Sequence, residues 1–411
     1  MQKKIFRHIL FLSFFLGPAM IQAQPAGLKQ SLLELNRAFA LQTDSILKPY
    51  LAPDFSVATY TGEYARQTLA AILKNYRLDS LTYLEAKQQA AGWMVKVKVH
   101  GGKTNHSTIH LDQSFRLLHI GLADQLYGMN RDTAAKKLAV IPFEVHNGSI
   151  IVTVTINKSK RPLRLLFDTG ADGMMLGKSL ADTIGLSVSY KNNASVAGGS
   201  IDIDVSENNN VHFNGFTLDG QSIAIFDRLG EGIDGILGNT VAQRYITAVN
   251  YAKKEITLYS FGQFTPPHNA HVVPVEANSG NIKINAVLSI HKEKPLKASF
   301  IFDTGAGYEL IVFRPFVLKH KLLVDNFRVD SNGSTMSLGV NSPVFFGKAA
   351  LLEIPPSIRL PLLTVALMGS AGGTAGPSHI DGSLGVKFIS RYNFTINLMD
   401  KYIAFSKRDT K

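Results

Sequence analysis

The feature that most constrains this chain is an internal duplication. Leu165-Leu166-Phe167-Asp168-Thr169-Gly170-Ala171 is echoed by Phe300-Ile301-Phe302-Asp303-Thr304-Gly305-Ala306. Downstream, Asp234-Gly235-Ile236-Leu237-Gly238, Arg244-Tyr245, Asn250 and Lys254 reappear as Asp381-Gly382-Ser383-Leu384-Gly385, Arg391-Tyr392, Asn397 and Lys401, all at a constant spacing of 147 residues. Upstream, Ile141-Pro142-Phe143-Glu144 matches Val273-Pro274-Val275-Glu276. The fold must therefore build one substructure twice. The two Asp-Thr-Gly motifs lie only 135 apart, so about 12 extra residues fall between Gly305 and Asp381 in the second copy.

Within each copy the pattern is nearly all β. Ile151, Thr153 and Thr155, then Leu163, Leu165 and Phe167, alternate with the period of two expected of strands, and Gly and Asn clusters punctuate them. Glu255 to Tyr259 and Tyr402 to Phe405 read as closing strands, with short helices expected at Lys178 to Ile184 and Val241 to Tyr245. The copies are assigned to residues 137–262 and 270–411, each within the size range of a domain. Phe264-Thr265-Pro266-Pro267 is the linker.

Residues 24–130 have a different texture. Leu28, Leu32, Leu35 and Phe39, then Leu69, Ile72, Leu73 and Tyr76, recur at helical spacing. Trp93, Val95, Val97 and Val99 switch to alternation, and Ile109, Leu111, Leu117 and Ile120 mark two further strands. Two helices and a meander of about four strands predict a small α+β domain, similar in element order to the NTF2-like superfamily. The first 23 residues read as a signal peptide: Lys3, Lys4 and Arg7 precede an apolar run from Ile9 to Ile21, and Ala23 offers a cleavage point. The mature chain is expected to be exported, periplasmic or extracellular, without stable membrane insertion, because the run is shorter than the ~20 residues that span a bilayer.

Cysteine is absent, which excludes disulfides and a thiol nucleophile. The formal charge of +12 falls to +9 without the signal's three basic residues. The remaining Lys and Arg are scattered, with no basic run interleaved with aromatics, so no nucleic-acid partner is expected. His106 and His110 share a strand face, and His268 and His271 sit near the linker, but no third ligand is spaced to complete a metal site; polar surface accounts for them, and no metal or cofactor is expected.

The chemistry resides in Asp168 and Asp303. Two carboxylates pressed together share a proton, and such a pair can serve as base and acid on one water molecule. With both motifs present twice and in order, residues 137–407 resemble a retropepsin-like or pepsin-like aspartic protease in single-chain form. The resemblance implies a mainly β fold: two homologous closed β-barrel lobes of the acid-protease type, preceded by the α+β domain. It assigns catalysis to Asp168 and Asp303, and loop support to Thr169, Gly170, Thr304 and Gly305, the threonine hydroxyls cross-linking the loops. Ile236-Leu237-Gly238 and Ser383-Leu384-Gly385 take the strand crossing beneath each loop.

Two departures from pepsin carry consequences. Ala171 and Ala306 replace a serine that donates to the carboxylate, which predicts raised pKa values and an optimum at about pH 5 to 6. Asp172 matches the family's acceptor of substrate backbone, but Gly307 stands at the second position. For substrate binding, Gly198 and Gly199 are flap candidates in copy one, and Gly369 to Gly376 could border the cleft in copy two. The leading function is an exported aspartic endopeptidase acting as a monomer on peptide or protein substrates. A non-catalytic peptide-binding module that keeps the fold, or a scaffold for an N-terminal binding module, are the alternatives.

Overall fold

The computed structural model describes residues 25–408 apart from 103, 197–198, 228–231, 279, 326, 338–339 and 370–379. The signal segment, Gly198 and nearly all of the stretch from Gly369 to Gly376 thus lie outside the described residues. The fold is mainly β.

Each copy is laid down by the same pairings. In copy one, Ser149–Ile156 pairs antiparallel with Lys137–His146, Leu163–Phe167 and Gly199–Phe213. Gly235–Leu237 then inserts, parallel to Leu163–Phe167 and antiparallel to Met174–Gly177. In copy two, Asn281–Ser289 pairs with His271–Asn278, Pro295–Phe302 and Val340–Ile354, while Gly382–Leu384 runs parallel to Pro295–Phe302 and antiparallel to Leu310–Val312. Short helices form at Lys178–Thr183 and Thr240–Arg244, where the sequence predicts them, and also at Arg314–Lys319 and Val386–Ile389. The extra residues of copy two are not one insertion: most lengthen the connection from helix Arg314–Lys319 to strand Val329–Ser337 and that from strand Ile358–Met368 to strand Gly382–Leu384.

Six strands tie the copies together in the order Lys137–His146, Glu255–Tyr259, Ile246–Asn250, Tyr392–Asn397, Tyr402–Lys407, His271–Asn278. The seam is antiparallel, with Ala248 opposite Thr395. His271 opens the last of these strands and meets Ser357 at 2.6 Å, so it belongs to the sheet, whereas the sequence pattern puts it with the linker. Buried residues from both copies, including Phe167, Tyr251, Phe302, Phe394 and Phe405, form one continuous core.

The N-terminal segment has its own core. Helices Ala26–Leu41 and Gly62–Asn75 place Leu28, Leu35, Leu69 and Leu73 against Val95, Val97 and Leu111 of a four-stranded antiparallel meander, Ser80–Gln89, Gly92–His100, His106–Leu111 and Leu117–Ile120. It docks on the seam sheet through a small apolar cluster of Ala58, Met129, Ile246, Phe261 and Met399. Arg131 fastens that junction. Its guanidinium donates to Asp124 at 2.6 Å, to the Met399 carbonyl at 3.1 Å and to the Ala58 carbonyl at 3.0 Å. Asp124 is 1% exposed and also accepts the Ala58 amide at 2.6 Å. Removing one partner of a buried pair strands the other charge. Arg131→Ala should therefore lose about 3–5 kcal/mol in urea unfolding; a loss below about 1 kcal/mol would mean that Asp124 finds compensation elsewhere.

Candidate active site

The two aspartates sit where buried strands end. Leu163, Leu165 and Phe167 are fully buried along Leu163–Phe167, as are Phe300 and Phe302 along Pro295–Phe302, so each strand is anchored up to the residue before its aspartate. The second motif completes the anchoring. Leu237 runs beside Phe167 and Leu384 beside Phe302, and their carbonyls accept the amides of Asp168 and Asp303, each at 3.0 Å. This is why Asp-Thr-Gly and Asp-Gly-x-Leu-Gly occur together: one motif holds the other's backbone.

The loops interlock through their threonines. Thr169 Oγ1 donates to the Phe302 carbonyl at 2.6 Å and accepts the Thr304 amide at 3.1 Å. Thr304 Oγ1 donates to the Phe167 carbonyl at 2.7 Å and accepts the Thr169 amide at 3.0 Å. Both side chains are fully buried, so each hydroxyl uses its donor and acceptor capacity where water is absent. The glycines have a reason beyond turn formation. A methyl group on Gly170 would lie 2.6 Å from the Asp303 carboxyl carbon, and one on Gly305 would lie 2.3 Å from that of Asp168. Each glycine makes room for the opposite aspartate.

Burial, then the charge of Asp303, pushes the Asp168 carboxyl well above the usual carboxylate range. Burial also raises Asp303, opposed by the Ser383 hydroxyl, by Asp168 and by the loop amides. Ser383 Oγ lies 2.9 Å from Asp303 Oδ2. The expectation that Ala306 leaves Asp303 short of a donor is corrected here: Ser383 supplies a hydroxyl, and the Ala306 amide itself donates at 3.0 Å. The only sequence signal was the departure of Ser383 from the apolar Ile236.

Asp172 is raised by burial and packs against copy two, where a methyl group on Gly280 would lie 2.0 Å from its Oδ1. Beside it, Asn239 donates to the Gly280 carbonyl at 2.7 Å, a contact between the copies that the sequence did not signal. Gly199 opens strand Gly199–Phe213 and faces Val196 of Tyr190–Val196, forming an antiparallel hairpin. Copy two has the equivalent hairpin, Val329–Ser337 with Val340–Ile354. Its Thr335 hydroxyl accepts from Tyr308, which directly follows the second loop. This hairpin is copy two's counterpart of the copy-one flap candidate.

The histidines singled out by sequence are apart from this site. His106 is exposed, and His110 contacts Asp132 at 3.3 Å, its ring tilted at 49° to that of His119. Among the described residues no group of three or more His, Asp or Glu is arranged to hold a metal ion.

Residues 152–241 match the aspartyl protease family model. The match spans Asp168-Thr169-Gly170 and Asp234-Gly235-Ile236-Leu237-Gly238, and supports a hydrolase of the aspartic protease type. Among solved structures, the chain is similar to the aspartic proteinase from Irpex lacteus, with 16% identity over 67% of this chain and 98% of that one, at a TM-score of 0.44. No curated protein matches the chain.

Two measurements probe the site without substrate. Because the folded state raises Asp168, its burden is absent at low pH, where folded and unfolded chains are both protonated. It grows as pH rises from the ordinary carboxylate value toward the raised one. Asp168→Asn should thus make the protein more stable than wild type at pH 7 and lose that gain near pH 3, read by thermal melts across pH. Thr169→Val should destabilise by about 2–4 kcal/mol, since the Phe302 carbonyl and the Thr304 amide are both left unpaired.

Proposed function

We propose that this protein is an exported aspartic endopeptidase that cleaves peptide or protein substrates with a water activated by Asp168 and Asp303. The observation that carries the reading is the reciprocal threonine lock, which presses two carboxyls together with room made by Gly170 and Gly305. In this reading one ionised aspartate takes a proton from water as its oxygen bonds the scissile carbonyl carbon, and the protonated aspartate donates to the carbonyl oxygen. Proton transfer to the amide nitrogen then breaks the C–N bond.

The two copies act as closed β-barrel lobes of one monomeric catalyst, supported by the repeated pairings and the shared core. An extended peptide would lie between the two hairpins, with Asp172 accepting backbone on one side only and Gly199 at the covering hairpin. The segment over 24–130 is a separate α+β domain docked on the seam sheet. Export is supported by Lys3, Lys4 and Arg7 ahead of the apolar run. Among the described residues no helix is long and apolar enough to cross a membrane.

The test is hydrolysis of a diverse peptide library by the mature chain across pH 3 to 8, with and without pepstatin. Asp168→Asn and Asp303→Asn should each lower the rate at least about 100-fold, with the optimum at about pH 5 to 6. A folded wild type that binds but never cuts peptides would leave a binding module instead.

A further inference from the structure

The donors around the two aspartates are unequal. Asp303 Oδ1 accepts the amides of Gly305 and Ala306, each at 3.0 Å, and Oδ2 accepts the Ser383 hydroxyl at 2.9 Å. Asp168 Oδ1 accepts the Gly170 amide at 2.8 Å, while the Ala171 amide turns to the Asp168 backbone carbonyl at 3.3 Å. The copies differ at one decisive position. Ser383 and Ile236 are the middle residues of equivalent three-residue strands, opposite Ile301 and Leu166 respectively. Isoleucine has no hydrogen to donate. Serine at this site is 3% exposed, among the buried residues of Gly382–Leu384, so its hydroxyl depends on a protein partner, and that partner is the carboxylate.

We propose that Ser383 polarises the aspartate pair, fixing the negative charge on Asp303, the base toward water, and leaving the proton on Asp168, the acid toward the carbonyl oxygen. The proposal rests on the peptidase reading for those roles, but Ser383's hold on Asp303 is separable from it. An oxyanion with three donors is stabilised over one with fewer, since hydrogen bonds to the charged form favour it. The titratable groups facing Asp303 are Asp168 across the junction and Tyr308 from its own copy. Neither carries positive charge, so hydrogen bonding is what separates the two carboxyls. Burial raises both carboxyls, and the Ser383 hydroxyl is the leading influence that opposes it at Asp303.

Ser383 is a positioning residue, and its effect is read by titration. Carboxyl carbon shifts of aspartate-labelled full-length protein, followed by NMR from pH 2 to 9, report each group with or without activity. In an Asp168→Asn background, adding Ser383→Ala should raise the Asp303 midpoint by about one unit, Ser383→Ile should do the same, and Ser383→Thr should restore it. In an Asp303→Asn background, Ser383→Ala should leave Asp168 unmoved. With both aspartates present, Ser383→Ala should shift the acid limb of kcat/KM upward, because a lost donor makes the anion harder to form. An Asp303 midpoint indifferent to residue 383 overturns the proposal even if peptides are cleaved. The predicted midpoint shift without peptide hydrolysis at any pH upholds Ser383's grip on Asp303 and removes the peptidase reading.

Discussion

Four hydrogen bonds between Thr169, Thr304 and the backbone of the opposite loop set the geometry on which the rest of this structure depends. Two carboxyls brought this close repel when both are ionised, so the arrangement needs a restraint that does not itself titrate. Threonine meets that need, because one hydroxyl donates to a carbonyl and accepts an amide, and burial keeps water from competing. The restraint acts beneath the carboxyls, leaving both aspartates partly exposed.

The surroundings divide the remaining work. The strand crossings fix the aspartate amides, and the seam sheet with its continuous core keeps the copies from sliding past one another. The N-terminal segment attaches through Arg131, Asp124 and a small apolar cluster to strands and turns of the seam, with Met399 lying in the turn between the last two strands. This attachment is made on the seam sheet. The segment's core is built separately from that of the duplicated region.

Symmetry in this molecule is followed closely by the backbone and loosely by the chemistry. Equivalent strands pair in equivalent ways, yet Asp172 faces the Gly280 turn where copy two offers Gly307, and Ile236 corresponds to Ser383 in the repeated pairing. Backbone pairing constrains only the path of the chain, and side chains on that path are free to diverge. A duplicated pair of acids acquires two different environments in this way.

The repeated motifs, the alternation of strands and the helical spacing of Leu28, Leu35 and Phe39 are written in local order, and the sequence by itself determined the mainly β duplication, the short helices near 178 and 240, and Asp168 and Asp303 as the residues to watch. These signals are legible because a period of two or 3.6 reports burial directly. Even there the face was not always legible: Ile150, Val152, Val154 and Ile156 line the core, while Thr153 is exposed. Only the tertiary structure decided that Gly170 makes room for Asp303, that Ser383 reaches its carboxylate from 80 positions away, that Asn239 grips the Gly280 turn, and which hairpin of copy two matches that of copy one. Those partners are joined by packing across the two copies, and no spacing along the chain encodes which oxygen a distant hydroxyl will meet.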